Sequence, residues 1–409
     1  MSEELKPTPE ELLHKNIQSE SEQEDDENYD KALKSISPWR IAVAVLAGLV
    51  VVVYLFIQDF DFAEFQKIEW TRSVIFWLAL ALVFVATRHL SYMYRLRVVT
   101  DKFFSWKKCF ELILVWEFSS AVTPTSVGGS AVALVALSQE KLPAGRTAMI
   151  VLYTVILDTF FILMAILAAF LIFGPIMVQP GALSIKYLLT QTAWGFWFFF
   201  AFCFMFLYGS LFFYGVFVNP KAVQRFLVWL TGFRLLKRFR KSAEKMAKDM
   251  DAASQELRQK KANFHLRSFL ATAGAWSSKF MILTCLVMGF VAFSSSPEVV
   301  AHYNSMMTDQ MNYGWGIQSL FIYVRQLAMY IIMAITPTPG GAGAAEFAFK
   351  TFHSDYIPKD GTLLLIMTVF WRSLTYYIYL FIGMIVVPNW IRKLINRSKK
   401  EKAEASNNI

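Results

Sequence analysis

This sequence is poor in cysteine and, for its length, in charge. Only three cysteines occur in 409 residues, and Cys109, Cys203 and Cys285 all sit in or beside apolar runs, without the paired spacing of a zinc site or redox couple. They read as packing residues. Charged residues make up 17% of the chain against 56% hydrophobic and 16% aromatic, a balance that excludes an ordinary soluble globular domain. Walker loops, H-E-x-x-H and G-x-S-x-G are absent too, so intrinsic nucleotide-driven pumping, zinc hydrolysis and serine acyl transfer have no motif behind them. No metal, cofactor or catalytic residue is assigned. The net charge of +9 does not argue for nucleic acid, because the basic residues gather in loops beside apolar runs, where the positive-inside effect accounts for them.

What the chain has instead is apolar length. A helix needs about 20 residues to cross the hydrocarbon core. Six runs approach or exceed that: Ile41–Ile57, Val74–Ala86 with its flanks, Ala148–Met177, Ala193–Val218, Phe269–Phe293 and Leu363–Val387. The first 38 residues are opposite in kind, with a stretch S-E-S-E-Q-E-D-D-E-N-Y-D that cannot bury a core. No basic n-region or cleavage site precedes Ile41, so the first run is expected to be a retained helix.

Loop charge orients the spans. The segment after the first run is acidic and aromatic, whereas Arg88, Arg95, Arg97, Lys102, Lys107 and Lys108 follow the second. The N-terminus is therefore expected in the cytoplasm, together with the basic loop 218–266 and the tail R-K-L-I-N-R-S-K-K-E-K. Val178–Gln191 carries only Lys186, and Ser294–Trp315 carries no Lys or Arg, which places both outside. These assignments hold together only if the interrupted apolar segments near 109–137 and 316–352 are hairpins that return to the side they entered. The predicted fold is thus all-α: a polytopic membrane protein with six full spans and two broken re-entrant hairpins, arranged as an inverted-topology repeat. Its parts are a disordered acidic cytoplasmic tail (1–38), a first membrane repeat (39–178) with hairpin 109–137, a second repeat (192–388) with the basic loop and hairpin 316–352, and a basic cytoplasmic tail (389–409). Gly316–Ile335 is long enough to cross completely, so its hairpin is expected to be deep.

The two hairpins share a motif. One reads Ala121-Val-Thr-Pro-Thr-Ser-Val-Gly-Gly-Ser-Ala131 and the other Ala334-Ile-Thr-Pro-Thr-Pro-Gly-Gly-Ala-Gly-Ala344. Proline removes a backbone donor and glycine opens conformations closed to other residues, so each motif should end one helix and start another. Backbone freed at that depth must be packed in protein or line a wet cavity. The N-terminus of each returning helix favours an anion. Thr123, Thr125, Gly128, Gly129 and Ser130 in one copy, and Thr336, Thr338, Gly340 and Gly341 in the other, are the candidate substrate-lining residues. The competing reading is a structural turn whose hydroxyls satisfy their own helices.

Asp158 and Arg372 each lie roughly 15 Å into a span and follow Thr123 and Thr336 by about the same interval. Charges so placed pair or face a cavity. Either they form a static ion pair clamping the halves, or Arg372 holds an anionic head group while Asp158 orients it or takes up a proton. Arg325, Glu346 and Glu117 in the hairpin limbs are further candidates, whereas Arg88 and His89 are expected to snorkel to the interface. In the basic loop, Phe233, Leu236, Phe239, Met246, Met250 and Leu257 recur at helical spacing and predict an amphipathic helix on the inner leaflet or the bundle.

The run T-P-T-P-G-G-A-G-A-A-E, with its looser partner T-P-T-S-V-G-G-S, resembles the flippase-like transmembrane region of the lysylphosphatidylglycerol synthase family, over roughly Arg40 to Arg392. That resemblance implies a bacterial cytoplasmic (inner) membrane protein acting on anionic or aminoacylated phospholipids, and the loop charges put both termini in the cytoplasm. The chain stops shortly after its last apolar run, so the soluble aminoacyl-transferase domain of the two-part synthases is expected to be missing, and synthase activity with it. The leading expectation is a lipid transporter or flippase. The alternatives are an intramembrane transferase on a lipid-linked substrate with Asp158 as base, and a non-transporting membrane partner of a separate lipid-modifying enzyme. A homo-oligomer is compatible with all three.

Overall fold

The computed structural model describes residues 62–219 and 251–407, apart from 67, 124, 141, 180, 181, 183, 311–313, 335, 337, 339, 342, 359 and 360, together with 221, 222, 225 and 229. The acidic tail, the run Ile41–Ile57 and most of the amphipathic stretch from Phe233 lie outside the described residues. Its last position, Leu257, is buried.

The described residues form helices and no strand: α1 Arg72–Val99, α2 Trp106–Val122, α3 Thr125–Ser138, α4 Ala144–Phe173, α5 Ala193–Phe213, α6 Ala262–Val287, α7 Pro297–Gln310, α8 Trp315–Ala334, α9 Ala344–His353, α10 Gly361–Arg372 and α11 Ile378–Asn407. Among the described residues, six stretches are long and apolar enough to cross a membrane: Arg72–Val99, Gly145–Met177, Trp194–Val218, Ala262–Ala292, Gly316–Ala334 and Thr362–Leu394. The protein is an all-α polytopic membrane protein. Five of these stretches fall on runs expected to span, and Gly316–Ala334 is the limb whose length already allowed a full crossing. The loop expected at Ser294–Trp315 contains α7.

Burial separates a centre from a rim. α6 is enclosed along most of its length, with Ile282, Leu283, Val287 and Met288 fully buried against α1, α8 and their neighbours. α5 turns Phe196, Phe200, Phe204, Leu207 and Leu211 outward. An outward apolar face costs nothing in hydrocarbon, so α5 reads as lipid-facing and α6 as the axis of the bundle.

Both motifs break a helix: the first between Val122 and Thr125, with Gly128 and Gly129 inside the returning helix, and the second between Ala334 and Ala344. α2 and α3, which end at Val122 and start at Thr125, pack against each other as a hairpin. Their outer ends are joined by Lys108 at the start of α2 and Glu140 just past α3, 2.5 Å apart. At Gly129 a Cβ would fall 1.9 Å from Ser120 Oγ, so the second glycine of the pair is what lets the limbs touch. The other hairpin has unequal limbs. α8 runs for 20 residues, but α9 only for 10, and Asp355 just past α9 meets Arg325 halfway along α8 at 2.6 Å.

Candidate functional site

The second break is held by three glycines and a carboxylate. Gly340, Gly341 and Gly343 have φ of 57°, 69° and 80°, a region that L side chains rarely adopt. Glu346, in the first turn of α9, accepts the Gly343 N–H at Oε2 (2.7 Å), filling one of the orphan donors of the helix N-terminus. Its Oε1 accepts from Arg372 Nε at 2.7 Å, and Arg372 Nη1 donates to the Gly340 carbonyl at 3.0 Å. The run P-G-G-A-G-A-A-E therefore builds a socket that orients one arginine.

Tyr376 brings the two breaks together. It sits in a π-helical turn, Ser373–Tyr377, directly after Arg372; such widened turns recur at functional sites. Its hydroxyl donates to the Ala121 carbonyl of the first break at 3.1 Å, and its ring leaves no room for a Cβ on Gly340 of the second. The Arg372 guanidinium lies over the same ring at 4.5 Å.

Around this contact lie two chambers that share a wall. The first, about 210 Å³, is bordered by Thr123, Thr336, Thr338, Gly340, Gly341 and Arg372. The second, about 230 Å³, is bordered by Ser130, Arg95, Asp158, Trp276 and Tyr208. Arg88, Glu117, Ser120, Lys279, Tyr330 and Ala334 belong to both.

The charges follow a simple pattern. Arg88 pairs with Glu117 at 2.5 Å and its guanidinium lies over Tyr379. Arg95 pairs with Asp158, whose Oδ1 also accepts from Trp276 Nε1 at 2.8 Å. Arg372 pairs with Glu346. Each arginine is thus matched by a carboxylate, as buried charges require. Lys279 is the exception. It forms no carboxylate pair among the described residues, and its ammonium rests on the faces of Trp276 and Tyr330, 4.7 Å from each ring centre. Further donors go unused: Arg88 Nε and Nη1 and Arg372 Nη2 are buried with no hydrogen-bond partner among the described residues.

The sequence candidates sort accordingly. Thr123, Thr336, Thr338, Gly340, Gly341 and Arg372 meet at the first chamber, and Ser130 and Asp158 at the second. Thr123 Oγ1 donates to the Ser119 carbonyl at 2.6 Å, so there the structural reading of a hydroxyl satisfying its own helix applies. Gly129 serves the hairpin contact, and Glu346 stands behind Arg372. The Thr125 side chain and Gly128 lie outside the described residues, although the backbone there is helical. Arg325 is apart from both chambers, fully buried with Asp355 and ringed by Phe321, Phe352 and Tyr356.

Two expectations are corrected. Asp158 and Arg372 do not pair, because each has a nearer partner on a neighbouring helix: Arg95 for Asp158 and Glu346 for Arg372. Arg88 and His89 do not snorkel. α1 continues to Val99 rather than ending near Ala86, which leaves both enclosed, Arg88 on Glu117 and His89 between the rings of Phe110 and Tyr379.

Residues 39–307 match the family described as the lysylphosphatidylglycerol synthase TM region. The chain belongs to this family. It is also similar to a UPF0104 membrane protein of Archaeoglobus fulgidus, 24% identical over 366 residues, which cover 84% of this chain and 95% of that protein. No solved structure matches it. The family match includes the first break and α6 with Lys279, and stops before the second break. Membership ties the protein to membrane-lipid modification, and membrane lipids are the partners this chemistry fits.

Proposed function

We propose that this protein moves an anionic or modified lipid head group across the bilayer by way of the two chambers. The observation that carries the reading is the junction of the two helix breaks at a cavity with unspent cationic donors: Arg88 Nε and Nη1, Arg372 Nη2 and the Lys279 ammonium. A lipid phosphate is an anion with acceptor oxygens, and such donors in a low-dielectric site reward it more than water would. Met329, Met333 and Phe280 supply apolar wall beside them. Irregular backbone at membrane depth is tolerated where it lines a cavity, which is where both T-P-T motifs sit in this reading.

In the same reading the hairpins are re-entrant and enter from opposite faces as an inverted repeat, in a bacterial cytoplasmic membrane, with both termini inside. The Lys108–Glu140 pair supports a return of α2–α3 to one side. The transferase reading would need a free carboxylate base, and both carboxylates bordering the second chamber, Glu117 and Asp158, are engaged by arginines.

The test is reconstitution into vesicles with head-group-labelled lipids. The expected result is protein-dependent flipping of at least one anionic or aminoacylated lipid, lost in Arg372→Ala protein that still elutes as a folded species. No flipping above protein-free vesicles for any such lipid overturns the reading.

A further inference from the structure

The charge inventory has a consequence for which head group fits. Four cations serve the chambers, Arg88, Arg95, Arg372 and Lys279, against three carboxylates, Glu117, Asp158 and Glu346. The three arginines are closed pairs, so with Lys279 protonated the described residues of the cavity lining carry one surplus positive charge, and it sits on Lys279. Arg88 and Arg372 can still donate from their unused nitrogens without adding net charge, since their carboxylates remain in place. We propose that Lys279 sets a charge filter: the cavity selects a head group of net charge minus one, a phosphodiester with no compensating amine, over zwitterionic and doubly charged head groups.

The proposal rests on the head-group reading above and adds the substrate's charge to it. A singly charged phosphodiester brings the enclosed site to neutrality. A zwitterion leaves the surplus positive charge uncompensated, and a phosphomonoester dianion leaves a surplus negative one; in low dielectric either residue of charge is expensive. Placement explains why Lys279 governs this. It lies on the wall common to both chambers, so a head group in either one is beside it. Its ammonium rests on the π faces of Trp276 and Tyr330, which stabilise a cation without neutralising it. The tyrosines that border the second chamber, Tyr92, Tyr208 and Tyr330, are neutral hydrogen-bonding groups and leave the count unchanged.

The experiment measures lipid binding to the full chain in detergent by native mass spectrometry, with phosphatidylglycerol, phosphatidylethanolamine and phosphatidic acid as probes. Wild type is expected to prefer phosphatidylglycerol over each of the others by roughly tenfold or more. Lys279→Met removes the surplus charge and should invert the order of phosphatidylglycerol and phosphatidylethanolamine, whereas Lys279→Arg should keep it. An inversion cannot come from loss of fold, which would weaken all three lipids together. Equal binding of the three lipids by wild type, or an unchanged order in Lys279→Met, overturns the proposal. Soluble glycerophosphoglycerol competing as well as the lipid supports the filter with a free phosphodiester as its ligand. Charge-selective binding without flipping leaves the filter standing and removes the transport reading; flipping that ignores head-group charge does the reverse.

Discussion

Tyr376 Oη donates to the carbonyl of Ala121 at 3.1 Å, a hydrogen bond across 255 positions of sequence from the last third of the chain into the first helix break. That carbonyl is one of those orphaned where α2 ends at Val122, and Tyr376 fills the vacancy. Because the same ring packs on Gly340, the two breaks are held at a fixed separation by one side chain.

Tyr376→Phe keeps the ring and deletes the donor. It should lower stability by about 1–3 kcal/mol, the cost of leaving a buried acceptor unpaired, and thermal unfolding in detergent will register it. Gly340→Ala should be worse. It forces a Cβ to 2.1 Å from the ring and strains a residue at φ 57°, whereas at Gly341 the nearest atom is 3.4 Å away on a flexible methionine. Gly341→Ala should therefore retain more of the Tm and of the flipping rate than Gly340→Ala.

Glu346 and Arg372 form a buried pair whose carboxylate also caps α9. Glu346→Ala removes both roles and strands a guanidinium, an expected loss of about 3–5 kcal/mol. Glu346→Gln keeps an oxygen for one donor and should cost clearly less. Measured by denaturation, equal losses in the two variants would contradict the orienting role given to the carboxylate.

Much of this was legible in the sequence, and the reason is local. Proline and glycine act on their own backbone, so the T-P-T runs, joined in the second copy by the glycines, announced both breaks without any tertiary information. Apolar length did the same for the five expected runs that lie among the described residues. Pairing was not legible, since which carboxylate an arginine meets depends on helix packing; Arg95 reaches Asp158 and Arg372 reaches Glu346, although spacing suggested Asp158 and Arg372 together. Two features could have been found. Lys279 is a lone charge in W-S-S-K-F-M-I-L-T-C-L-V, the criterion already applied to Asp158. Arg88, Tyr92 and Arg95 fall at i, i+4 and i+7, one face of a helix, once α1 is allowed past Ala86.

The sidedness of the first hairpin is open to a direct measurement. Lys108 and Glu140 are 2.5 Å apart at its two ends, with Glu140 also accepting from Trp390 of α11. Cysteines introduced singly as Lys108→Cys and Glu140→Cys, in protein whose three native cysteines have been replaced, should react with an impermeant maleimide from the same face of the membrane. Labelling from opposite faces would mean that α2–α3 crosses, and the re-entrant arrangement would fall.

The pairing of Asp158 makes the sharpest comparison, because two partners were conceivable and the structure chooses one. A double-mutant cycle on Arg95→Gln and Asp158→Asn should show an interaction energy of about 1–3 kcal/mol, as expected for groups in contact. The parallel cycle on Asp158→Asn and Arg372→Gln should add within about 0.5 kcal/mol, since their partners differ and they lie on different chambers. Unfolding in detergent supplies both cycles from six proteins, wild type and five variants. Coupling of Asp158 to Arg372 but not to Arg95 would restore the clamp between the halves and unseat the assignment of Lys279 as the unmatched cation, because the count of closed pairs would no longer hold.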